Sequence, residues 1–305
     1  MKPVLTSPLC LSLALGSVLA LTACSQKAAQ PMNEVSKVNM TAGDQMASIQ
    51  TAIACLPDEA ALIAAHRGVS EEWDLPENSA SGLQRLIDKN YLVAEIDVAS
   101  TKDGTLFLFH DGVWDETSTG TGPVSASTNE DLDKILLKSR QGTLASERPL
   151  RFDDALDMAK NKIYLEIDFK SSAPESEVIE MISEKGMGDQ VVLIAYTSEQ
   201  AEELQALAPN MLLSAPGEDN GRGLKPENTL LWMGRGIDSI SSPTNTLAYI
   251  GMVGRKSETA QPGPLRQGKL LVTDFPNDFP PIWGLNSETS GTYEACLSGN
   301  KPEGS

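Results

Sequence analysis

The sequence predicts an α/β protein, a (β/α)8 TIM barrel. Three observations predict it: apolar runs of strand length recur along the chain, helical patterns fill most of the gaps, and chemically active residues gather where runs end. The strand candidates are 62–65, 92–98, 106–109, 163–169, 190–195, 211–213, 237–240 and 270–273. Helices are expected at 78–89, 129–137, 152–160, 175–184 and 198–207, so the order is largely β then α. The gap between the second and third runs holds the tight turn Lys102-Asp103-Gly104, too short for a crossover helix. One shortened unit is therefore expected, and an open doubly wound sheet is the alternative architecture.

The elements before the first strand have other purposes. Lys2 is followed by an apolar stretch over 9–20, too short to span a bilayer comfortably, and then by small residues, the pattern of a cleaved export segment. Leu21-Thr22-Ala23-Cys24 resembles the lipobox of bacterial lipoproteins, which implies removal of residues 1–23 and lipidation of Cys24. An ordinary cleaved signal peptide with an incidental cysteine is the alternative. Ser25 after that cysteine, rather than Asp, points by the same resemblance to the outer membrane. Residues 24–55 read as a polar tether ending in a short helix over 45–55, residues 56–296 as the barrel domain, and 297–305 as a tail. The expected location is the bacterial envelope, facing the periplasm, with the lipid anchor as the only membrane contact.

Composition narrows the function. With 24 Lys plus Arg against 42 Asp plus Glu, the formal net charge of −18 repels phosphate backbones, which excludes nucleic-acid binding. An anionic substrate is allowed only where local cations or a metal hold it. The histidines are His66 and His110 alone, and no Cys-x-x-Cys pair exists, so a His-rich zinc site or zinc ribbon is excluded. In an oxidising compartment Cys55 and Cys296 are the thiols left after processing, and a closed barrel brings its ends together, so a disulfide between them is expected. Two unpaired buried thiols are the alternative.

The polar residues at the strand ends carry the chemistry. His66 and Arg67 follow the first run, Glu95 and Asp97 lie two apart in the second, and His110-Asp111 ends the third. Glu166, Asp168 and Lys170 run along the fourth. Strand alternation puts Glu95 with Asp97 on one face, and Glu166, Asp168 and Lys170 on one face. Pointed inward, such carboxylates need a cation, and oxygen ligands without histidine suit Ca²⁺ or Mg²⁺.

In order along the chain come His66-Arg67-Gly68, Pro76-Glu77-Asn78-Ser79, Glu95-Ile96-Asp97, Thr101-Lys102-Asp103-Gly104, His110-Asp111 and Asp168-Phe169-Lys170. Together they resemble the signature of the glycerophosphodiester phosphodiesterase family, and Thr273-Asp274-Phe275-Pro276 is similar to its closing motif. The resemblance implies a barrel enzyme that hydrolyses glycerophosphodiesters, as small-molecule substrates, to glycerol 3-phosphate and an alcohol with one divalent cation, Ca²⁺ or Mg²⁺. It maps the catalytic histidines onto His66 and His110, and the metal ligands onto Glu95, Asp97 and a fourth-strand acid. The phosphate-contacting cations become Arg67 and Lys170, and Glu77 and Asn78 line the loop, with Glu77 within reach of the metal or His66. The Asp168-to-Lys170 spacing matches the family's acid-x-Lys, so Asp168 is the expected ligand and Glu166 its neighbour; the reverse assignment stays open. Ser79 stands where the family usually has Thr, and its Trp-containing segment is not recognisable over 250–268. Pro226-Glu227-Asn228 repeats the motif without its sequel and reads as a helix or loop start. Related barrel phosphodiesterases of the sphingomyelinase D or phosphatidylinositol phospholipase kind, and an inactive envelope scaffold, are the alternatives.

Overall fold

The computed structural model describes residues 38–42, 45–235, 246–258 and 268–299. The export segment, Cys24 and most of the tether, the strand expected at 237–240 and the chain beyond 299 lie outside the described residues.

Parallel strands close a ring. They are β1 (Ala61–Ala65), β2 (Val93–Ser100), β4 (Tyr164–Phe169), β5 (Val191–Ile194), β6 (Leu212–Pro216), β7 (Thr229–Trp232), β8 (Ala248–Met252) and β9 (Gly268–Thr273). Each pairs with the next, and β9 returns to β1, so the barrel has eight strands and the open-sheet alternative is excluded.

Two expectations are corrected. The third strand candidate becomes β3 (Leu106–Leu108), which pairs antiparallel with β2 and lies outside the ring. Its connection explains this: Gly104 at φ +85° turns the chain within a few residues, and a parallel return needs a crossover of a dozen or more. The ring is completed instead by β7 and β8, which sequence reading did not find. A further short strand, β10 (Ile282–Trp283), runs antiparallel to β1.

The helices are α1 (Ile49–Ala54), α2 (Ala80–Asp88), α3 (Asn129–Leu132), α4 (Phe152–Ala159), α5 (Glu175–Glu184), α6 (Ser198–Leu207) and α7 (Ser290–Leu297). Ser79 caps α2 by accepting from the Gly82 N–H at 3.0 Å, and Thr197 caps α6 the same way from Gln200 at 3.1 Å. The β6 to β7 crossover carries only a 3-10 turn at Pro226–Asn228, the second Pro-Glu-Asn. Among the described residues no helix is long and apolar enough to cross a membrane.

Strand alternation builds two apolar layers. Leu62, Tyr164, Val192, Leu212, Leu230 and Leu270 fill the barrel interior, while Ile63, Ile96, Leu165, Leu193 and Leu271 face the helices. Burying each large side chain contributes roughly 1.5–3 kcal/mol, enough to fix the register that aims the polar residues inward. The interior layer continues into Ile49 and Ile53 of α1 and Tyr293 and Leu297 of α7. Tyr164, the first residue of β4, donates to the Ala47 carbonyl at 2.7 Å, so α1 is anchored at the amino-terminal ends of the strands. Cys55 and Cys296 are joined there by a disulfide, Cα atoms 5.8 Å apart, across 241 residues of sequence. The segment read as a tether packs on this floor from Met40 onward.

Candidate active site

The first strand ends in a turn that is costly in backbone terms. In His66-Arg67-Gly68, Arg67 has φ +54° and Gly68 φ +66°. A non-glycine residue there costs about 1–3 kcal/mol and persists only where its surroundings over-determine it. They do: the Arg67 N–H donates to Glu95 Oε2 at 2.6 Å, and the Arg67 carbonyl accepts from the Asn78 N–H at 2.8 Å. The first turn of α2 presses on the same place, because a Cβ on Gly82 would lie 2.7 Å from the Gly68 carbonyl oxygen. Glycine at 82 is what lets the helix approach.

The parallel register of β2 and β4 sets Glu95 beside Glu166 and Asp97 beside Asp168. All four carboxylates are buried. Burial, reinforced by Asp97, holds the Glu95 carboxyl well above the usual range, and burial with Asp168 nearby pushes Glu166 up to about 8. Burial also works to raise Asp97, but Lys170 Nζ at 2.6 Å outweighs it and holds that carboxyl below its ordinary value. Lys170 also sits 2.7 Å from Asp168 Oδ2, to which the Tyr196 hydroxyl donates at 2.9 Å. Asn78 grips Asp97 twice, its Nδ2 donating to Oδ2 at 2.6 Å and its Oδ1 accepting from the Asp97 N–H at 2.9 Å.

These residues fit a divalent cation. One oxygen each from Glu95, Asp97 and Asp168 lies within 4.8 Å of the others, a spread that a single ion with ligands at about 2.3–2.6 Å can bridge. Asp168 Oδ1 and Glu166 Oε2 are buried with no hydrogen-bond partner, which oxygen-rich coordination would supply. Three oxygen donors without histidine or cysteine suit a hard divalent cation.

Both histidines are oriented through Nδ1. His66 Nδ1 lies 2.7 Å from Asp274 Oδ1, leaving Nε2 free to face Glu95 Oε2 at 4.0 Å. His110 Nδ1 lies 2.8 Å from Asp111 Oδ1, and its Nε2 is 2.8 Å from the Arg67 guanidinium. A guanidinium only donates, so His110 Nε2 meets it as an acceptor, with the ring proton on Nδ1 toward Asp111.

A cavity of about 390 Å³ is lined by His66, His110, Glu95, Asp97, Glu166 and Asp168, and also by Tyr196, Trp232, Met252 and Val272. Arg67 and Lys170, expected to contact phosphate, stand at this rim bound to Glu77 and His110 and to Asp97 and Asp168 respectively. Glu77, expected in the loop lining the site, pairs with the guanidinium groups of Arg67 and Arg140. Sequence reasoning assigned no role to Asp274, Arg140 or Tyr196. Asp274 could have been found from its place just after the last barrel strand; Arg140 lies in the long β3–α4 connection and carries no such signal.

Residues 66–207 match the model of the Glycerophosphoryl diester phosphodiesterase family. A glycerophosphodiester phosphodiesterase of Caldanaerobacter subterraneus is 28% identical over 157 residues, covering 49% of this chain and 64% of that protein. The chain thus spans less than two thirds of that relative's length. A glycerophosphoryl diester phosphodiesterase from Parabacteroides distasonis shares the fold at a TM-score of 0.62, with 22% identity over 86% of this chain and 95% of its own. An Oleispira antarctica phosphodiesterase, solved with the product sn-glycerol-3-phosphate, shares it at 0.56, with 17% identity over 74% and 96%. Over residues 66–207, just under half of its length, the chain is thus similar to the glycerophosphoryl diester phosphodiesterase family.

Proposed function

We propose that this protein hydrolyses glycerophosphodiesters to glycerol 3-phosphate and an alcohol, with a divalent cation at Glu95, Asp97 and Asp168 and with His66 and His110 moving the protons. The observation that carries the reading is the convergence of both histidines and the three-carboxylate cluster on one cavity. The cation supplies positive charge to the phosphoryl oxygens as charge builds there. The neighbouring glycerol hydroxyl oxygen bonds to phosphorus while the bond from phosphorus to the alcohol oxygen breaks. One neutral imidazole takes the hydroxyl proton at Nε2, and the other, entering the step as an imidazolium with a proton on Nε2 as well as Nδ1, gives that proton to the departing alkoxide. Water then opens the cyclic phosphate with the roles reversed. Arg67, whose buried Nε has no partner of its own, and Lys170 add fixed positive charge at the rim.

The test is release of glycerol 3-phosphate from glycerophosphocholine by protein lacking residues 1–24, with EDTA and then with Ca²⁺ or Mg²⁺ restored. Cation-dependent release is expected; no release with either ion overturns the reading.

The same reading puts the protein at the periplasmic side of the bacterial outer membrane, held by acylated Cys24. A disulfide joining the ends of the fold is consistent with an oxidising compartment. Cys24→Ser is expected to move the protein from the membrane to the soluble fraction, and an unchanged membrane fraction overturns the anchor.

A further inference from the structure

We infer that Arg140 is a positioning residue for both catalytic histidines; the inference rests on the proposed phosphodiesterase reading and deepens it. Its guanidinium donates from Nε to Glu77 Oε2 at 2.7 Å and lies, through one terminal nitrogen, 3.7 Å from Asp274 Oδ1. Each of those carboxylates supports one histidine. Glu77 accepts from Arg67 at 2.9 and 3.2 Å, and Arg67 in turn meets His110 Nε2 at 2.8 Å. Asp274 holds His66 Nδ1 at 2.7 Å. One cation therefore ties together two carboxylates that come from opposite ends of the barrel sequence.

The segment carrying Arg140 is built to deliver it. Residues 138–144 form a small hairpin, with Lys138 bridging Leu144 and Gly142 turning at φ +88°. The hairpin clasps the 71–77 loop at further points. Ser139 and Thr143 donate to the two oxygens of Asp74 at 2.6 and 2.9 Å, Gln141 donates to the Glu71 carbonyl at 2.8 Å, and Arg140 itself reaches the Glu71 carboxylate. The Asp74 and Gln141 bonds hold the loop. Arg140 differs in also reaching Glu77 and Asp274, the acids that bear on Arg67 and on His66. Glu77 is buried, and the Arg140 Nε–H joins Arg67 in satisfying it, from a planar group whose terminal nitrogen is held by Glu71 as a point charge on a flexible stem would not be.

Steady-state kinetics on glycerophosphocholine with Arg140→Ala, Arg140→Lys and Thr143→Ala tests this, beside the melting temperature of each. Arg140→Ala is expected to lower kcat between about tenfold and a hundredfold, the scale of a displaced reacting group, with KM within about twofold. Guanidinium ion added to the solution should restore part of that kcat, and Arg140→Lys should fall between. Thr143→Ala, which loosens the hairpin but leaves both acids paired, should keep the parent kcat. A parental kcat in Arg140→Ala overturns the inference. So does a loss that Thr143→Ala reproduces and guanidinium leaves unchanged, because that is the behaviour of a merely structural contact. A parent protein that turns over no diester overturns the phosphodiesterase reading and this role with it, whereas an active parent indifferent to Arg140 overturns this role alone.

Discussion

Glu95 Oε2 accepts the Arg67 backbone N–H at 2.6 Å, so a residue of the acidic cluster also pins the left-handed turn that carries the first histidine. The two duties separate in Glu95→Gln. Glutamine keeps a carbonyl oxygen for the Arg67 N–H but loses the charge that a cation needs. The variant should fold with its turn intact, melt no lower than the parent in EDTA, and lose most of the stabilisation that Ca²⁺ or Mg²⁺ gives the parent. Thermal melts with and without each ion check this, and equal ion-dependent stabilisation in both proteins would remove Glu95 from the ligand set.

The Asp274 to His66 contact predicts a tautomer effect. As a carboxylate, Asp274 only accepts, which keeps the ring proton on Nδ1 and leaves Nε2 able to take a proton. Asparagine can offer its NH2 group to Nδ1 and place the ring proton on Nε2 instead. Asp274→Asn should therefore lower kcat by about 10²- to 10⁴-fold, by analogy with the triad aspartate, with a small fall in melting temperature at neutral pH. The hydrogen bond from His66 holds Asp274 below its ordinary value of 3.8, against the opposing pull of burial. A lowered carboxyl contributes stability that is present above its unfolded value and lost as pH falls through the folded one. Below about pH 4 the parent and the variant should accordingly converge in stability, which acid titration by circular dichroism reads.

Glu166 gives the opposite sign. Its carboxyl is pushed from 4.5 up to about 8 by burial and by Asp168, so between those values the folded state holds a proton that the unfolded state releases. Stability of the cation-free protein should then fall as pH rises from about 4.5 to 8, by an amount on the order of a few kcal/mol. Glu166→Gln should make this slope shallower, leaving the part that Glu95 contributes. Urea unfolding in EDTA at pH 5 and at pH 8 tests it, and a parental slope in the variant would locate the titration elsewhere.

The sequence made the active rim legible because strand alternation and the polar ends of β1, β2 and β4 are local signals: Glu95 with Asp97, and Glu166 with Asp168, can each be placed on one face of their strand from spacing alone. The ring was less legible. Thr229–Trp232 offers only four residues behind a Pro-Glu-Asn turn, and Ala248–Met252 contains Gly251, and short apolar runs of this kind do not separate strand from loop or buried helix. The parallel or antiparallel sense of β3 depends on the preceding turn rather than on its own Leu-Phe-Leu pattern. Asp274 meets His66 across 208 residues, and Arg140 meets Glu77 across 63. Such pairs are made by barrel closure and by a loop folding back, and neither leaves a periodicity to read.

The Cys55–Cys296 bridge closes the longest loop in the fold and does so at the floor, far along the strands from the acids. Cross-linking residues 241 apart removes much of the unfolded chain's freedom, and the chain-entropy argument assigns such a loop about 5 kcal/mol at most. Cys55→Ser with Cys296→Ser should therefore lower stability by about 2–5 kcal/mol while leaving cation binding unchanged, because Ile49, Ile53, Tyr293 and Leu297 still cover the floor. Urea unfolding of the double variant, beside a Ca²⁺ titration of its folded form, measures both. A loss of cation affinity equal to the loss of stability would mean that the floor and the rim unfold as one unit. Unchanged affinity would mean that α1, α7 and their bridge secure the ends of the chain without shaping the chemistry.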